Sequence, residues 1–331
     1  MKQISFFEKY KPETFDDFLL DKNLKLLFET FLKIDKLNFF IYGDCGTGKT
    51  TLINILINKY YENFFENKNL INKNIIYINT LNDCGMNFLR NEIKTFCKIP
   101  STIPNKKKIL VIDDIDNINV QCQQIFRNFM DNYSHNVIFI GSCISLQKII
   151  SSIQSRIKVI KIPKITDDKL KLIMNKIIKN EKLKIDEPSK KFIINISHNS
   201  IRILITYLEK IYLLNRQISI ELCKSISTNI NYDLLTSYTN NIFKNNDLLK
   251  ALQQIQIIIT KGYSVVDVLD EYYHFVKHTD IIENTLKYKI ITIICKYISF
   301  FYGKQEHEIE LSLFTNDLYN LIYKKNYNTI I

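Results

Sequence analysis

Long apolar runs are missing from this 331-residue chain. Stretches such as Ile290 to Ile294 fall far short of the ~20 residues a bilayer-spanning helix needs, so no membrane partner is expected. The opening Met1-Lys2-Gln3-Ile4-Ser5 leads into Phe6-Phe7-Glu8-Lys9 without an apolar core or a small-residue cleavage site, and no secretory leader is expected. Cysteine is scattered: the seven thiols, at 45, 84, 97, 122, 143, 223 and 295, include no C-x-x-C pair. That argues against a zinc site or a disulfide framework and for a reducing intracellular compartment. His274 and His278 stand four apart, but the residues between them lack the Glu of a helical metalloprotease site, and no third ligand is near. Glycine is scarce too, yet three of the seven glycines fall within six residues, at 43, 46 and 48.

Those three glycines belong to Gly43-Asp44-Cys45-Gly46-Thr47-Gly48-Lys49-Thr50, which reads G-x-x-x-x-G-K-[ST], the P-loop pattern. Small residues let backbone N–H groups turn inward as a nest for phosphate oxygens. Lys49 supplies a point charge for the β- and γ-phosphates, and the Thr50 hydroxyl can hold Mg²⁺. The context agrees. Leu37 to Tyr42 is a short apolar run suited to a buried strand, and Thr51 to Ile57 opens a helix whose N-terminus would face the anion.

Composition places the chain among soluble globular proteins, at 46% hydrophobic and 24% charged residues, with length enough for two or three domains. The formal net charge of +11 favours polyanionic partners, nucleic acid first, although abundant Asn, Ile and Lys also give it a purely compositional origin. Strand patterns at Ile75-Ile78, Ile109-Ile112, Val137-Ile140 and Val159-Ile162 alternate with amphipathic segments at Met86-Phe96, Val120-Tyr133 and Leu146-Ile153. Alternation of this kind, with near-continuous apolar strands, predicts a parallel sheet covered on both faces. After Pro163 strand patterns stop, and Asp167-Asp168 and Asp186-Glu187-Pro188 read as helix starts. The expected organisation is an α/β P-loop nucleotide domain over 1–163, a helical domain over 164–230 and a second all-α domain over 231–331. Within the first, Ile109 to Ile112 is a buried strand ending in Asp113 and Asp114. A P-loop fold puts its Mg²⁺-binding Asp there, the role given to Asp113, and Asp114 is placed to polarise an attacking water.

Here the chain resembles a family. Glu8 to Asp17 (EKYKPETFDD) is similar to the opening of the small subunits of replication factor C, the AAA+ sliding-clamp loader. The likeness continues through Gln123 to Ser134 (QQIFRNFMDNYS) and Lys148 to Arg156 (KIISSIQSR), and covers residues 6–215 at the level of motifs. Beyond about residue 230 only helical character agrees. The resemblance implies an AAA+ domain, a helical lid, and a collar domain that joins subunits in a ring-like pentamer. It implies ATP and Mg²⁺ as cofactors. The nucleotide would be held by Gly43, Asp44, Cys45, Gly46, Thr47, Gly48, Lys49, Thr50 and Thr51, with the adenine against Tyr10-Lys11-Pro12. Arg202, in Ser197 to Arg202, would reach the γ-phosphate from the lid in cis. Arg156 would act in trans as an arginine finger on a neighbouring subunit's ATP, a contribution of ~10³–10⁵ in rate. Asn79 to Phe96 matches the segment that runs along DNA, so Arg90, Lys94 and Lys148 are expected to contact phosphates without reading sequence. The partners implied are other clamp-loader subunits, the sliding clamp and primer-template DNA. The compartment implied is a nucleus, or a cytoplasmic viral replication site if the source is a large DNA virus.

The chain also departs from the family. Asp114 stands where Glu is usual, and Ile144 stands where the family has its sensor-1 Asn, with Ser142 and Ser145 nearby but not at the aligned position. Cys84 replaces an Arg, and Leu20-Asp21 replaces a Gly-Gln pair. Neither Asp114 nor Ile144 touches the phosphate nest, so intact ATP–Mg²⁺ binding with weak hydrolysis is expected. Two readings follow: an ATP-dependent subunit that helps open a clamp and load it on primed DNA, or a non-hydrolysing scaffold subunit that binds nucleotide and donates Arg156. An AAA+ initiator or helicase loader is a third class, but it usually carries a DNA-reading module for which this chain shows no pattern.

Overall fold

The computed structural model describes residues 5–35, 37–62, 64, 68–79, 89–214, 219–226, 230, 232–279, 281–301 and 305–323, in two compact units divided between Ile220 and Glu221. The first unit opens with α1 (Phe6–Lys9) and α2 (Lys22–Ile34). It then alternates β1 (Phe39–Tyr42), α3 (Lys49–Tyr60), α4 (Lys68–Asn74), β2 (Ile75–Asn79), α5 (Lys94–Lys98), β3 (Lys108–Asp113), α6 (Val120–Tyr133), β4 (Val137–Cys143), α7 (Ser151–Gln154) and β5 (Lys158–Lys161). All ladders are parallel and the strand order is β2-β3-β4-β1-β5.

Why these runs become central strands follows from the two-residue period of a strand. In β1, Phe39 and Ile41 face one layer with Leu52 and Leu56 of α3, while Phe40 faces the other with Phe126 of α6 and Ile153 of α7. Neighbouring β3 and β4 divide in the same way: Val111 and Ile140 lie on the first side, Leu110, Ile112 and Phe139 on the second. A sheet buried on both faces has no polar side to present, so the sequence shows runs rather than alternation. Gly141 of β4 is needed for this packing, since a Cβ there would stand 2.8 Å from both the Ile112 carbonyl oxygen and the Phe40 ring.

Two expected elements differ from those observed. The segment 86–96 was expected as one amphipathic helix; from Leu89 it forms a π-helical turn (Leu89–Ile93) that runs into α5, and residues 80–88, Cys84 included, lie outside the described residues. Leu146 to Ile153 is not one helix either. A 3₁₀ turn (Leu146–Lys148) and α7 are separated by extended backbone at Ile149 and Ile150. Buried Gln123 of α6 enforces that break: its Nε2 donates to the carbonyls of Ile118 and Lys148, each at 3.0 Å, and its Oε1 accepts from the Ile150 N–H at 2.9 Å.

After β5 the unit is helical: α8 (Asp167–Glu181), α9 (Glu187–Ile196) and α10 (Ile201–Leu214). Asp186 stands at the N-cap position of α9 and Pro188 in its first turn, where its missing N–H costs nothing. The N-terminal α1 packs on this lid. Phe6 is buried against Tyr212, its N–H donates to Glu209 at 3.1 Å, and Lys9 and Tyr10 both bond Glu181 at 2.5 Å.

The division falls at the first residue of α11 (Ile220–Ile226), and the second unit continues with α12 (Tyr232–Phe243), α13 (Leu248–Thr260), α14 (Val265–His278), α15 (Asn284–Phe301) and α16 (Ile309–Tyr323). Its core centres on Tyr272, edge-on to both Tyr238 and Phe314, and the Tyr238 hydroxyl reaches Thr315 Oγ1 at 3.1 Å. No described helix in either unit is long and apolar enough to cross a membrane.

Candidate nucleotide site

The loop from Gly43 to Gly48 leaves the C-terminal end of β1 and turns into α3. Gly46 and Gly48 have φ of +76° and +89°, values that side chains rarely tolerate. Both are also closely covered: a Cβ on Gly46 would lie 2.2 Å from Ser200 Oγ, and one on Gly48 would lie 2.9 Å from the Phe18 ring. Thr47 Oγ1 closes the loop by donating to the Asp44 carbonyl at 2.9 Å. Lys49 is buried, with Nζ donating to the Gly43 and Asp44 carbonyls at 3.0 Å each. Thr50 and Thr51 follow in the first turn of α3, where free N–H groups and the helix dipole favour an anion.

The Asp113 carboxylate meets the start of α3 beside this loop. Thr50 Oγ1 lies 2.9 Å from Asp113 Oδ2 and 3.2 Å from Oδ1, so the hydroxyl and carboxylate expected to share a metal are side by side. Such an all-oxygen pair suits Mg²⁺, which takes one or two protein oxygens and completes its shell with water and phosphate. Asp114 adopts left-handed backbone, φ 51° and ψ 53°. Burial raises its carboxyl above the usual range, the adjacent Asp113 charge adds to this, and Lys49 opposes it.

Ser142, fully buried in β4, joins the two acids. Its hydroxyl donates to Asp113 Oδ1 and accepts from the Asp114 N–H at 3.0 Å. That engagement leaves it no proton for a γ-phosphate, so it does not stand in for a sensor-1 amide. Asp116 organises the next turn: Oδ2 accepts from the N–H groups of Ile144 at 3.2 Å and Ser145 at 3.0 Å. The turn after β4 is therefore held in place while its leading side chain, Ile144, is 46% exposed and apolar. Neither Ser142's bridging nor Asp116's anchoring was anticipated. A lone Ser in an apolar strand, and a third acid shortly after Asp113, were the available traces.

The lid reaches the loop from the other side. Arg202, in the first turn of α10, places Nη1 3.8 Å from the Sγ of exposed Cys45, and Lys164 pairs with Asp44 at 2.7 Å. An adjoining cleft is lined by Phe18 to Asp21, Thr47, Ile162 to Ile165, and Lys169, Ile173 and Ile201 of the lid side. The N-terminal segment contributes residues 18–21 to this cleft. The Tyr10 hydroxyl donates to Glu181; burial and that carboxylate push it up to about 12.

Arg156 stands apart from this constellation. It precedes β5, whereas the P-loop follows β1, and the parallel pairing of Phe39 with Lys158 puts the two at opposite ends of the sheet. A rise of about 3.3 Å per residue over some six residues separates them by roughly 20 Å, too far to serve the same nucleotide. Of the residues expected to contact DNA phosphates, Lys94 on α5 and Lys148 after β4 are exposed, and the side chain of Arg90 lies outside the described residues.

Known proteins share this architecture. Residues 39–164 match the family model AAA, the ATPases associated with various cellular activities. Solved structures of Thermotoga maritima RuvB, titled a Holliday junction branch migration motor, superpose with a TM-score of 0.52 at 15% identity, covering 70% of this chain and 79% of that one. At that identity the likeness is one of fold. The molecule is thus an AAA+ P-loop protein, built to bind nucleotide. The rest of the chain narrows the class, because residues 233–298 match the replication factor C C-terminal domain, extending the likeness past the point where motifs alone carried it. A replication factor C small subunit of Acanthamoeba polyphaga mimivirus is 27% identical over 88% of this chain and 89% of its own length. One from Thermoplasma volcanium is 32% identical over 62% of this chain and 63% of its own length. The chain is thus similar to replication factor C small subunits over most of its length, with an AAA domain followed by a replication factor C C-terminal domain.

Proposed function

We propose that the chain is an ATP-dependent clamp-loader subunit, one member of a ring of related subunits that opens a sliding clamp and places it on primer-template DNA. The observation that carries the reading is the contact of Thr50 with Asp113 beneath a glycine nest and a buried Lys49, in a chain similar to those subunits. In its own site, Gly46, Gly48 and Lys49 would bind the phosphates of ATP, and Thr50 and Asp113 would hold Mg²⁺, which neutralises developing phosphate charge. Asp114 would accept the proton of the attacking water, Arg202 would engage the γ-phosphate from the lid, and Arg156 would serve the neighbouring subunit. Lys94, Lys148 and Arg90 would lie along DNA, each phosphate contact steepening the log–log salt dependence by ~0.9.

One observation favours a second reading, a scaffold subunit that binds nucleotide without turning it over. Ile144 offers the reacting phosphate no hydrogen bond, and the loss of one positioned donor costs ~10²–10³ in rate. Turnover by the co-expressed assembly, with clamp and primed DNA, separates the two. An active subunit requires that Lys49→Ala lower turnover and that Ile144→Asn raise it by up to ~10²–10³-fold, the inverse of that donor loss. If Lys49→Ala leaves assembly turnover and clamp loading unchanged while Arg156→Ala lowers them, the active-site reading fails and the scaffold reading stands.

A further inference from the structure

Arg156 sits on the face expected to meet a neighbour, yet it is not a free side chain. Nε donates to Asp131 Oδ1 at 2.6 Å, and Nη1 donates to the Ser152 carbonyl at 2.7 Å and approaches Ser155 Oγ at 3.4 Å. Nη2 has no partner among the described residues. Nε and Nη1 are therefore engaged, and the outer N–H of Nη2 is left for a further acceptor.

Asp131 itself is an odd choice for its position. It lies in the last turn of α6, where the helix dipole disfavours a carboxylate. Exposed as it is, it adds little to the fold. Its mount is rigid, because the preceding Phe129 and Met130 are buried in the core beneath the sheet. Arg156 bonding holds its carboxyl below the ordinary range, which keeps it ionised and acceptor-only at any working pH.

We propose that Asp131 is a positioning residue for Arg156: it clamps the guanidinium through Nε so that Nη2 faces the nucleotide of the adjoining subunit. The inference rests on the reading of Arg156 as a finger. Unclamped, the long side chain samples many rotamers, and only a fraction aims Nη2 outward; a misplacement of about 1 Å in such a site costs ~10² in rate. The carboxylate can remain bound during reaction, since Asp131 takes Nε while the outer N–H of Nη2, on the end of the fork, remains for a phosphate oxygen.

The test is steady-state ATP hydrolysis by the co-expressed assembly, comparing Asp131→Asn, Asp131→Glu, Arg156→Ala and the double variant Asp131→Asn/Arg156→Ala, with assembly checked by size-exclusion chromatography. Asp131→Asn is expected to lower kcat roughly 10–100-fold with KM for ATP unchanged. Asp131→Glu is expected to recover part of that loss, and Asp131→Asn to add nothing once Arg156 is Ala. If Arg156→Ala lowers kcat but Asp131→Asn stays within twofold of the parent, the inference is wrong while the finger stands. A rise in kcat with Asp131→Asn overturns it too, making Asp131 a restraint instead. If Arg156→Ala has no effect, the finger reading fails and the positioning role falls with it.

Discussion

Replacing Ser142 by Ala tests whether one hydroxyl holds the two acids of the site together. The side chain is fully buried, so the change removes an oxygen without opening a route for water to replace it. Two interactions disappear. The bond donated to the Asp113 carboxylate is charge-assisted, a kind that contributes ~1.5–3 kcal/mol, and the partly buried Asp114 N–H loses its acceptor, at ~1–3 kcal/mol. Because both share one oxygen, about 3 kcal/mol together is a fair expectation. For a cooperative unit of this size, each kcal/mol moves Tm by ~2–4 °C, so a fall of roughly 6–12 °C is expected in the absence of nucleotide. Differential scanning fluorimetry reads the fall, and titration with ATP and Mg²⁺ reads the affinity, expected to weaken about tenfold as Asp113 loses its fixed orientation (~1.4 kcal/mol). Ser145→Ala is the control, since its hydroxyl makes no bond to a described residue and it should change neither quantity. A Tm shift under 2 °C with unchanged Mg²⁺–nucleotide affinity for Ser142→Ala would refute the bridging role.

Gln123→Ala strands three backbone groups and leaves a cavity, so chemical denaturation is expected to show a loss of ~3–5 kcal/mol, with raised hydrogen exchange at Ile150. Asp114 has a folded pKa raised above its unfolded value, so its contribution to stability is present at low pH and lost as pH rises through the folded pKa. Asp114→Asn is therefore expected to raise Tm at pH 7, with the gain vanishing as pH falls below about 4; a gain that persists at pH 3 would contradict the assignment. Gly46→Ala drives a methyl into Ser200 and is expected to abolish high-affinity nucleotide binding in a fluorescent-nucleotide titration. Adding Ser200→Gly should recover lid contact only in part, because the backbone strain at φ +76° remains.

The elements that declared themselves in the sequence were those with local causes. Parallel strands buried on both faces had to be apolar runs, and the pairing of Thr50 with Asp113 followed from where a P-loop sheet ends its strands. What stayed hidden depended on partners distant in the chain. Ser142 is legible only beside Asp113, 29 residues away, and Asp131 only beside Arg156, 25 residues away. Leu146 to Ile153 has the periodicity of one helix, but Gln123 takes up the carbonyl of Lys148 and the N–H of Ile150 and splits it. Tyr10 shows the same dependence: its hydroxyl bonds the carboxylate of Glu181, 171 residues away.

The packing of α1 on the lid gives the lid two covalent attachments to the sheet. One runs through residues 11–21 and the other through residues 162–166. A flap hung on a single linker swings in any direction; one hung on two can turn only about the line joining its hinges. The seam between them carries exposed ion pairs, Asp17 with Lys176 and Asp21 with Lys169, which are cheap to break and re-form. Chain order thus misstates mechanical order: the first described helix moves with the last helices of its unit, and a fragment beginning at residue 11 would leave the groove that holds Phe6 open to water.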